Sequence, residues 1–207
     1  MPFLFNNLEV FSALLALLCV WLAAINHIWN WPVAMVSSIG YIVVFYQSQL
    51  YSDAFLNIVF LLFQSYGWIS WKQQGILSPQ PMKKKSVARL LLVMVLLYPF
   101  WVNFITYHLP QLPVWVFGNS KAVLPPPKFP WIDAALMLCS LLALIMQSKR
   151  WIEHWYLWVA VDIVYVPMYY LSGNTITAIL YFIYIGLAVY GFVQWKRISS
   201  PPRLADT

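Results

Sequence analysis

One predicted helix in the last third of the chain carries five side chains that are unusual for a membrane segment. Trp155, Trp158, Asp162, Tyr165 and Tyr169 follow one another at i, i+3, i+7, i+10 and i+14, so an α-helix places them all on one face. Indole and phenol rings attract cations, and the carboxylate adds negative charge, so this face suits a flat, cationic, partly polar solute. Aromatic stripes in membrane helices also form packing surfaces or interface belts. An acid this deep in a span can also be structural, hydrogen-bonded or neutral, with its proton retained, and the pattern alone leaves both alternatives open.

Two other predicted spans carry polar side chains at helical spacing. Thr177, Tyr181 and Tyr184 share one face of the last span, and their hydroxyls can donate and accept hydrogen bonds as sugar hydroxyls require. Asn57 and Gln64 lie close to one face of the third span, where amides either join helices or contact a ligand. We expect Asn57 to join helices; for Gln64 both roles stay open.

The composition requires a bilayer as the solvent. Of the 207 residues, 62% are hydrophobic and only 9% are charged, and a soluble domain of this size could not bury so much apolar surface. The net charge of +6 does not indicate nucleic-acid binding, because the basic residues cluster beside the apolar spans. We find no phosphate-binding loop, nucleophile elbow or paired membrane histidines, and therefore expect neither an enzyme nor a metal or other cofactor. Cys19 and Cys139 lie inside apolar spans and are predicted to be free thiols.

The sequence predicts seven transmembrane helices of about 17–21 residues, the length that crosses the hydrocarbon core. They are 8–25, 31–50, 54–72, 88–106, 131–148, 155–171 and 175–195. Between the fourth and fifth spans, residues 107–130 form a Pro-rich connection that we expect to be an external loop.

The distribution of basic residues predicts the orientation. Ten Lys and Arg residues lie in the 3–4 loop, the 5–6 loop and the C-terminal tail, all on one side of a seven-span chain, and only Lys121 and Lys128 lie on the other. Cytoplasmic loops carry the excess of basic residues, so we expect the N-terminus outside and the C-terminus in the cytoplasm.

The first part of the chain recurs 124 residues later without a gap. Trp31 aligns with Trp155, Tyr41 with Tyr165, and the pair Trp71-Lys72 with Trp195-Lys196. Each repeat holds three spans, and the fourth span inverts the chain, so both triplets cross the membrane in the same sense. We therefore predict a parallel 3+1+3 duplication, in which the substrate of a transporter lies near the midplane between repeats.

This organisation divides the chain into four parts. They are a first three-helix repeat (1–75), a linker helix with the external Pro-rich loop (76–130), a second repeat (131–197) and a cytoplasmic tail (198–207). Trp31, Trp68 and Trp71 lie near predicted span ends, and we expect them to be interface anchors.

Several short motifs, taken in order and with their duplication, resemble the PnuC family of bacterial vitamin transporters over roughly residues 8–197. These motifs are Asn30-Trp31-Pro32, Gln49-Leu50-Tyr51, Tyr66 to Trp71 (YGWxxW), Glu153 to Trp158 (ExWxxW) and Thr177 to Tyr181 (TxxxY). No single motif is specific; their combination carries the resemblance.

The resemblance implies an all-α, SWEET-like fold in the bacterial inner membrane, with lipid around it and a homo-oligomer such as a trimer as its assembly. It implies uptake of nicotinamide riboside by facilitated diffusion, with trapping by a cytoplasmic kinase, or of thiamine or another vitamin. Trp155 and Trp158, with Thr177 and Tyr181, would contact the substrate, whose pyridinium cation fits the aromatic and acidic face described above. A phosphorylated mononucleotide fits less well, because no Lys or Arg lies deep in a span. A sensor or structural membrane protein with the same fold is the remaining alternative.

Overall fold

The structure, a computed structural model, describes residues 2–47, 51–75, 77–111, 114–115, 123, 129–171 and 175–199. The side chains of residues 2–6, 51–53, 169 and 176–177 lie outside that description. The predicted tail beyond residue 199 and most of the predicted 107–130 loop also lie outside it.

The described residues form seven α-helices of 18 to 25 residues each. They are α1 (Pro2–Ala24), α2 (Asn30–Gln47), α3 (Tyr51–Gln74), α4 (Lys84–Asn103), α5 (Pro130–Ser148), α6 (His154–Leu171) and α7 (Thr175–Ser199). Helices satisfy all their backbone hydrogen bonds internally, which lipid requires.

Within the described ranges, five helices are long and apolar enough to cross a bilayer: α1, α3, α4, α5 and α7. The other two, α2 and α6, have 18 residues each and are not among these five. The chain is an all-α, multi-pass membrane protein. Its helices overlap the seven predicted spans. Helix α4 begins at Lys84, before the predicted start, and helical turns continue to Gln111, into the first residues of the predicted external loop.

The helices pack as two groups of three. Helix α2 lies against both α1 and α3, and α6 lies against both α5 and α7. The groups meet where α1 contacts α7 and where α3 contacts α5, while α4 packs on α5. We call the contacts between the two groups the α1–α7 seam and the α3–α5 seam.

The turns before α2 and α6 adopt the same unusual backbone conformation. Asn26 has φ 56° and Arg150, 124 positions later, has φ 52°, and these are the non-glycine residues with positive φ in the described chain. A left-handed conformation is uncommon outside glycine, and in arginine more so than in asparagine. Its occurrence at matched positions shows that the two turns close their helix pairs in the same way.

The segment that follows α3 is fastened to the turn between α5 and α6. The Gln80 N–H donates to the Arg150 carbonyl (3.0 Å), and the Ile152 N–H donates to the Gln80 carbonyl (3.1 Å). The Glu153 carboxylate accepts the Met82 N–H through both oxygens, at 2.9 and 3.0 Å. This segment therefore ties the first helix group to the second.

Candidate functional site

The aromatic face of α6 points into the protein. Trp155 is 2% exposed and Asp162 is 5% exposed, while Trp158 and Tyr165 are half-buried. The other side of the helix is exposed, with Tyr156 at 57% and Ile163 at 54%. Tyr169, the fifth member of the predicted face, has its side chain outside the described part of the chain.

Trp155 belongs to an aromatic layer rather than standing alone. The layer consists of Trp31, Trp71, Trp155 and Trp195, all at most 2% exposed, and we call it the tryptophan layer. Trp31 and Trp71 were expected to be interface anchors, and that expectation is wrong. Both rings are enclosed by protein because the helix ends converge on them, so they form part of the core.

Matched edge-to-face contacts build the two halves of the layer. Trp31 and Trp71 meet with ring centroids 5.6 Å apart at 84°, and Trp155 and Trp195 meet at 5.8 Å and 87°. Trp71 and Trp195 join the halves, at 6.2 Å. Edge-to-face geometry is the favoured arrangement of aromatic pairs.

Two glycines allow the indoles to lie flat against a neighbouring helix. A Cβ built at Gly67 would lie 2.4 Å from the Trp31 ring, and one built at Gly191 would lie 2.4 Å from the Trp155 ring. Real atoms do not approach so closely, so these positions have no room for a side chain. Gly67 and Gly191 are 124 residues apart, and so are the two rings that they receive.

The indole N–H groups of the third helices in each group bond across the seams. Trp71 Nε1 donates to the Gln147 carbonyl (3.1 Å), and Trp195 Nε1 donates to the Ala23 carbonyl (2.9 Å). Donors and acceptors are again 124 residues apart. The Nε1 atoms of Trp31 and Trp155 are buried and have no hydrogen-bond partner in the described structure.

Asp162 lies two helical turns beyond Trp155, about 10 Å along the axis. In the first helix group the matching position is Ser38, whose hydroxyl is paired with the buried Gln64 amide at 3.0 and 3.1 Å. In the second group the position that matches Gln64 is Ala188, which has no polar atom to offer. Asp162 therefore lacks the partner that the first group provides at the same place, and the described residues supply no hydrogen bond to it.

A cluster of three tyrosines begins one turn beyond Asp162 on α6, at Tyr165. The Tyr165 and Tyr181 rings are 4.9 Å apart, and the Tyr181 and Tyr184 rings meet edge to face at 5.7 Å. Tyr184 is also within electrostatic range of Asp162, and of Tyr41 and Cys19 in the first helix group. The surroundings of Tyr184 therefore include residues of both helix groups.

The remaining predicted site residues fall in different places. Gln64 joins α3 to α2 through Ser38, which is the helix-joining role, and Asn57 is half-buried on α3. Thr177 lies in α7, but its side chain is outside the described part of the chain. Whether any of these side chains contacts a ligand stays a prediction.

The structure adds residues that sequence reasoning did not assign to the site. Ser38 and Tyr41 both lie on α2: Ser38 bonds to Gln64, and Tyr41 is within electrostatic range of Tyr184. The 124-residue shift was the available signal, since it pairs Ser38 with Asp162 and Tyr41 with Tyr165. In the ranges that the structure describes, no three His, Cys, Asp or Glu side chains lie together as a metal site would require.

Two apolar surface cavities are present among the described residues. One, of about 420 Å³, is lined by Leu62, Phe63, Tyr66 and Ile145 at the α3–α5 seam. The other, of about 250 Å³, lies between α6 and α7. None of the predicted site residues lines either cavity.

Comparison with known proteins gives consistent matches over nearly the whole chain. The nicotinamide riboside transporter PnuC of Escherichia coli (strain K12) is 25% identical over 201 residues, which cover 91% of this chain and 84% of that protein. The riboflavin/roseoflavin transporter RibM of Streptomyces davaonensis is 24% identical over 203 residues, or 93% and 88% of the two chains.

A solved structure and a family profile agree with these matches. The crystal structure of the vitamin B3 transporter PnuC superimposes with a TM-score of 0.70 at 20% identity, covering 95% of this chain and 85% of that one. The profile of the nicotinamide mononucleotide transporter family matches residues 6–197. This protein is a member of that transporter family.

Proposed function

We propose that this protein takes up nicotinamide riboside across the bacterial inner membrane by facilitated diffusion. The observation that carries the substrate class is the side chain of Asp162, which is buried near Tyr184 and has no cationic partner among the described residues. A buried acid in a membrane segment normally faces a cavity or a partner. The pyridinium ring of nicotinamide riboside would supply the positive charge, and its ribose would take hydrogen bonds from the tyrosine hydroxyls.

Eight side chains form the proposed substrate site. They are Trp155, Trp158, Asp162, Tyr165, Thr177, Tyr181, Gln64 and Asn57. Trp155 would contribute an edge of its ring and its unpaired N–H from within the tryptophan layer, whereas the half-buried Trp158 has more free surface for stacking. Trapping by a cytoplasmic kinase would make the uptake unidirectional.

The proposed architecture is a parallel 3+1+3 duplication with seven membrane spans. It assigns α1 to α3 (within 1–75) to the first repeat and α5 to α7 (within 131–197) to the second, with α4 and the external loop (76–130) as the linker. The support is the set of matched features 124 residues apart: the left-handed turn residues, the edge-to-face tryptophan pairs and the indole hydrogen bonds.

Other vitamins are the alternative cargo. Thiamine also carries a cationic ring, and an aromatic and acidic site would accept it as well. A relative is named for riboflavin, whose ring system is uncharged. A buried acid without a cationic partner favours a cation over riboflavin, because an uncharged ligand would leave the carboxylate uncompensated.

Uptake into proteoliposomes tests both substrate and mechanism. We expect saturable entry of labelled nicotinamide riboside without any proton or sodium gradient, competition by excess thiamine if the site is broad, and little competition by riboflavin. A strict requirement for an ion gradient would contradict facilitated diffusion, and uptake of riboflavin alone would contradict the proposed cation site. Empty liposomes provide the background.

The proposed orientation predicts opposite labelling of two loops. In a variant whose native cysteines are replaced, a cysteine at Lys84 should react with an impermeant reagent only from the cytoplasmic side, and a cysteine at Lys121 only from outside. The reason is the concentration of basic residues beside the first position. Labelling of both positions from the same side would refute the topology.

A further inference from the structure

The tryptophan layer closes one end of the helix bundle. Trp71 and Trp195 lie near the ends of α3 and α7, and Trp31 and Trp155 lie near the starts of α2 and α6. The carbonyl groups that accept the Trp71 and Trp195 N–H groups lie in the last turns of α5 and α1. All six helix ends therefore meet at the layer, and Asp162 lies about two turns further into the bundle.

The two seams are not held equally at this end. At the α3–α5 seam, several hydrogen bonds reinforce the Trp71 bond: Ser70 Oγ and Gln74 Nε2 donate to the Ser148 carbonyl (3.3 and 3.2 Å), and the Arg150 guanidinium donates to the Gly75 carbonyl (3.0 Å). The same guanidinium stacks over the Trp71 ring at 4.2 Å. The segment containing Gln80 adds the backbone bonds described above.

The α1–α7 seam has a simpler construction. In the part of the chain that the structure describes, the hydrogen bond between the ends of these helices runs from Trp195 Nε1 to the Ala23 carbonyl. The neighbouring buried residues Ala23, Ala24 and Ala188 are small and apolar. Separating α1 from α7 at this end therefore breaks far fewer polar contacts than separating α3 from α5.

We infer that the tryptophan layer is the cytoplasmic gate, with the Trp195–Ala23 bond as its latch and the α3–α5 seam as its hinge. Opening moves the ends of α1 and α7 apart and gives the cytoplasm access to the buried residues around Asp162. Within each group, the Trp155–Trp195 and Trp31–Trp71 pairs and their glycines move as rigid units. This inference rests on the proposed transport function, because a transporter needs a gate and the proposed topology places this end of the bundle at the cytoplasmic side.

A native cysteine reports on the proposed opening. Cys19 lies on α1, one turn before Ala23, and is within electrostatic range of Tyr184 on α7. Its thiol is a free one, so it can react with an impermeant methanethiosulfonate reagent. With Cys139 replaced by alanine, labelling of Cys19 measures how often the α1–α7 seam opens.

The test compares two matched substitutions. Trp195→Phe removes the latch N–H and keeps an aromatic ring, and without substrate it should raise Cys19 labelling from the cytoplasmic side about fivefold, the effect of one lost hydrogen bond on an opening equilibrium. Trp71→Phe removes the equivalent N–H at the hinge and should leave the rate within about twofold. An equal increase in both variants, or none with Trp195→Phe, would overturn the inference.

A second measurement is hydrogen exchange of the indole N–H groups in the unmodified protein, which does not depend on whether a substituted protein folds. The Trp195 N–H should exchange at least about tenfold faster than the Trp71 N–H, because the latch opens while the hinge stays closed. Equal protection of both would overturn the inference. If Trp195→Phe alone raises Cys19 labelling but the protein does not take up nicotinamide riboside, the proposed substrate is wrong and the proposed gate stands.

Discussion

Asp162→Asn is expected to weaken binding of nicotinamide riboside about tenfold, or about 1.4 kcal/mol. The substitution keeps the shape of the side chain and removes its charge. Asp162 is 5% exposed, and Ala188 occupies the position that would supply an amide partner in the first repeat. A cationic ligand therefore compensates the carboxylate more than the protein does, and its affinity should depend on that charge.

The reduced, uncharged dihydropyridine form of the same riboside is the matched control ligand. Its binding to Asp162→Asn should equal its binding to the parent protein within about twofold. Trp158→Ala should weaken both forms, because it removes aromatic surface that either ring can contact; a cation–aromatic contact contributes about 0.5–2 kcal/mol. If Asp162→Asn binds the cation as tightly as the parent while Trp158→Ala does not, the electrostatic role of Asp162 is wrong. Calorimetry on purified protein measures all four combinations.

Gly191→Ala is expected to destabilise the protein by about 1–3 kcal/mol, the usual cost of overpacking a tight core. The added methyl group would lie 2.4 Å from the Trp155 ring, so the ring or α7 must move. The displacement reaches Trp158, which packs against the same cluster, and substrate affinity should fall as well. Thermal unfolding in detergent, followed by tryptophan fluorescence, measures the first effect, and calorimetry measures the second.

Two other glycines separate these effects. Gly67→Ala creates the same overlap with Trp31 in the first repeat, and should lower the unfolding temperature while changing affinity less than Gly191→Ala. Gly186→Ala meets no atom within 4 Å and should leave both quantities unchanged. An unfolding temperature of Gly191→Ala that matches that of Gly186→Ala would show that the close approach of Trp155 to α7 is not required.

The two helix groups resemble each other in the tryptophan layer but differ around Asp162. Ser38 and Gln64 satisfy each other in the first repeat, whereas the matching Asp162 and Ala188 leave an acid without an amide. The residues that repeat faithfully are those of the tryptophan layer and its glycines, which hold the helix ends together. Those that diverge lie two turns deeper, at the depth where a substrate would bind.

The membrane setting, the helix positions and the repeat could be predicted from the sequence alone. Runs of about 20 apolar residues imply spanning helices because lipid offers no other solution for the backbone. The ungapped 124-residue match aligns Trp31 with Trp155 and Trp71 with Trp195, the four residues that form the tryptophan layer. Helical spacing also placed Trp155, Trp158 and Asp162 on one face, and the structure buries that face.

Which residues of each helix face protein rather than lipid was decided by the tertiary structure. Trp31 and Trp71 resemble interface anchors in the sequence, yet they lie inside the protein, because lipid and protein interior are similarly apolar and leave no amphipathic pattern to distinguish them. The cross-seam bonds of Trp71 and Trp195 end on backbone carbonyls, which carry no residue-specific signal. The contrast between a latch at α1–α7 and a hinge at α3–α5 arises from packing across 70 or more positions of sequence, and only the folded chain brings those positions together.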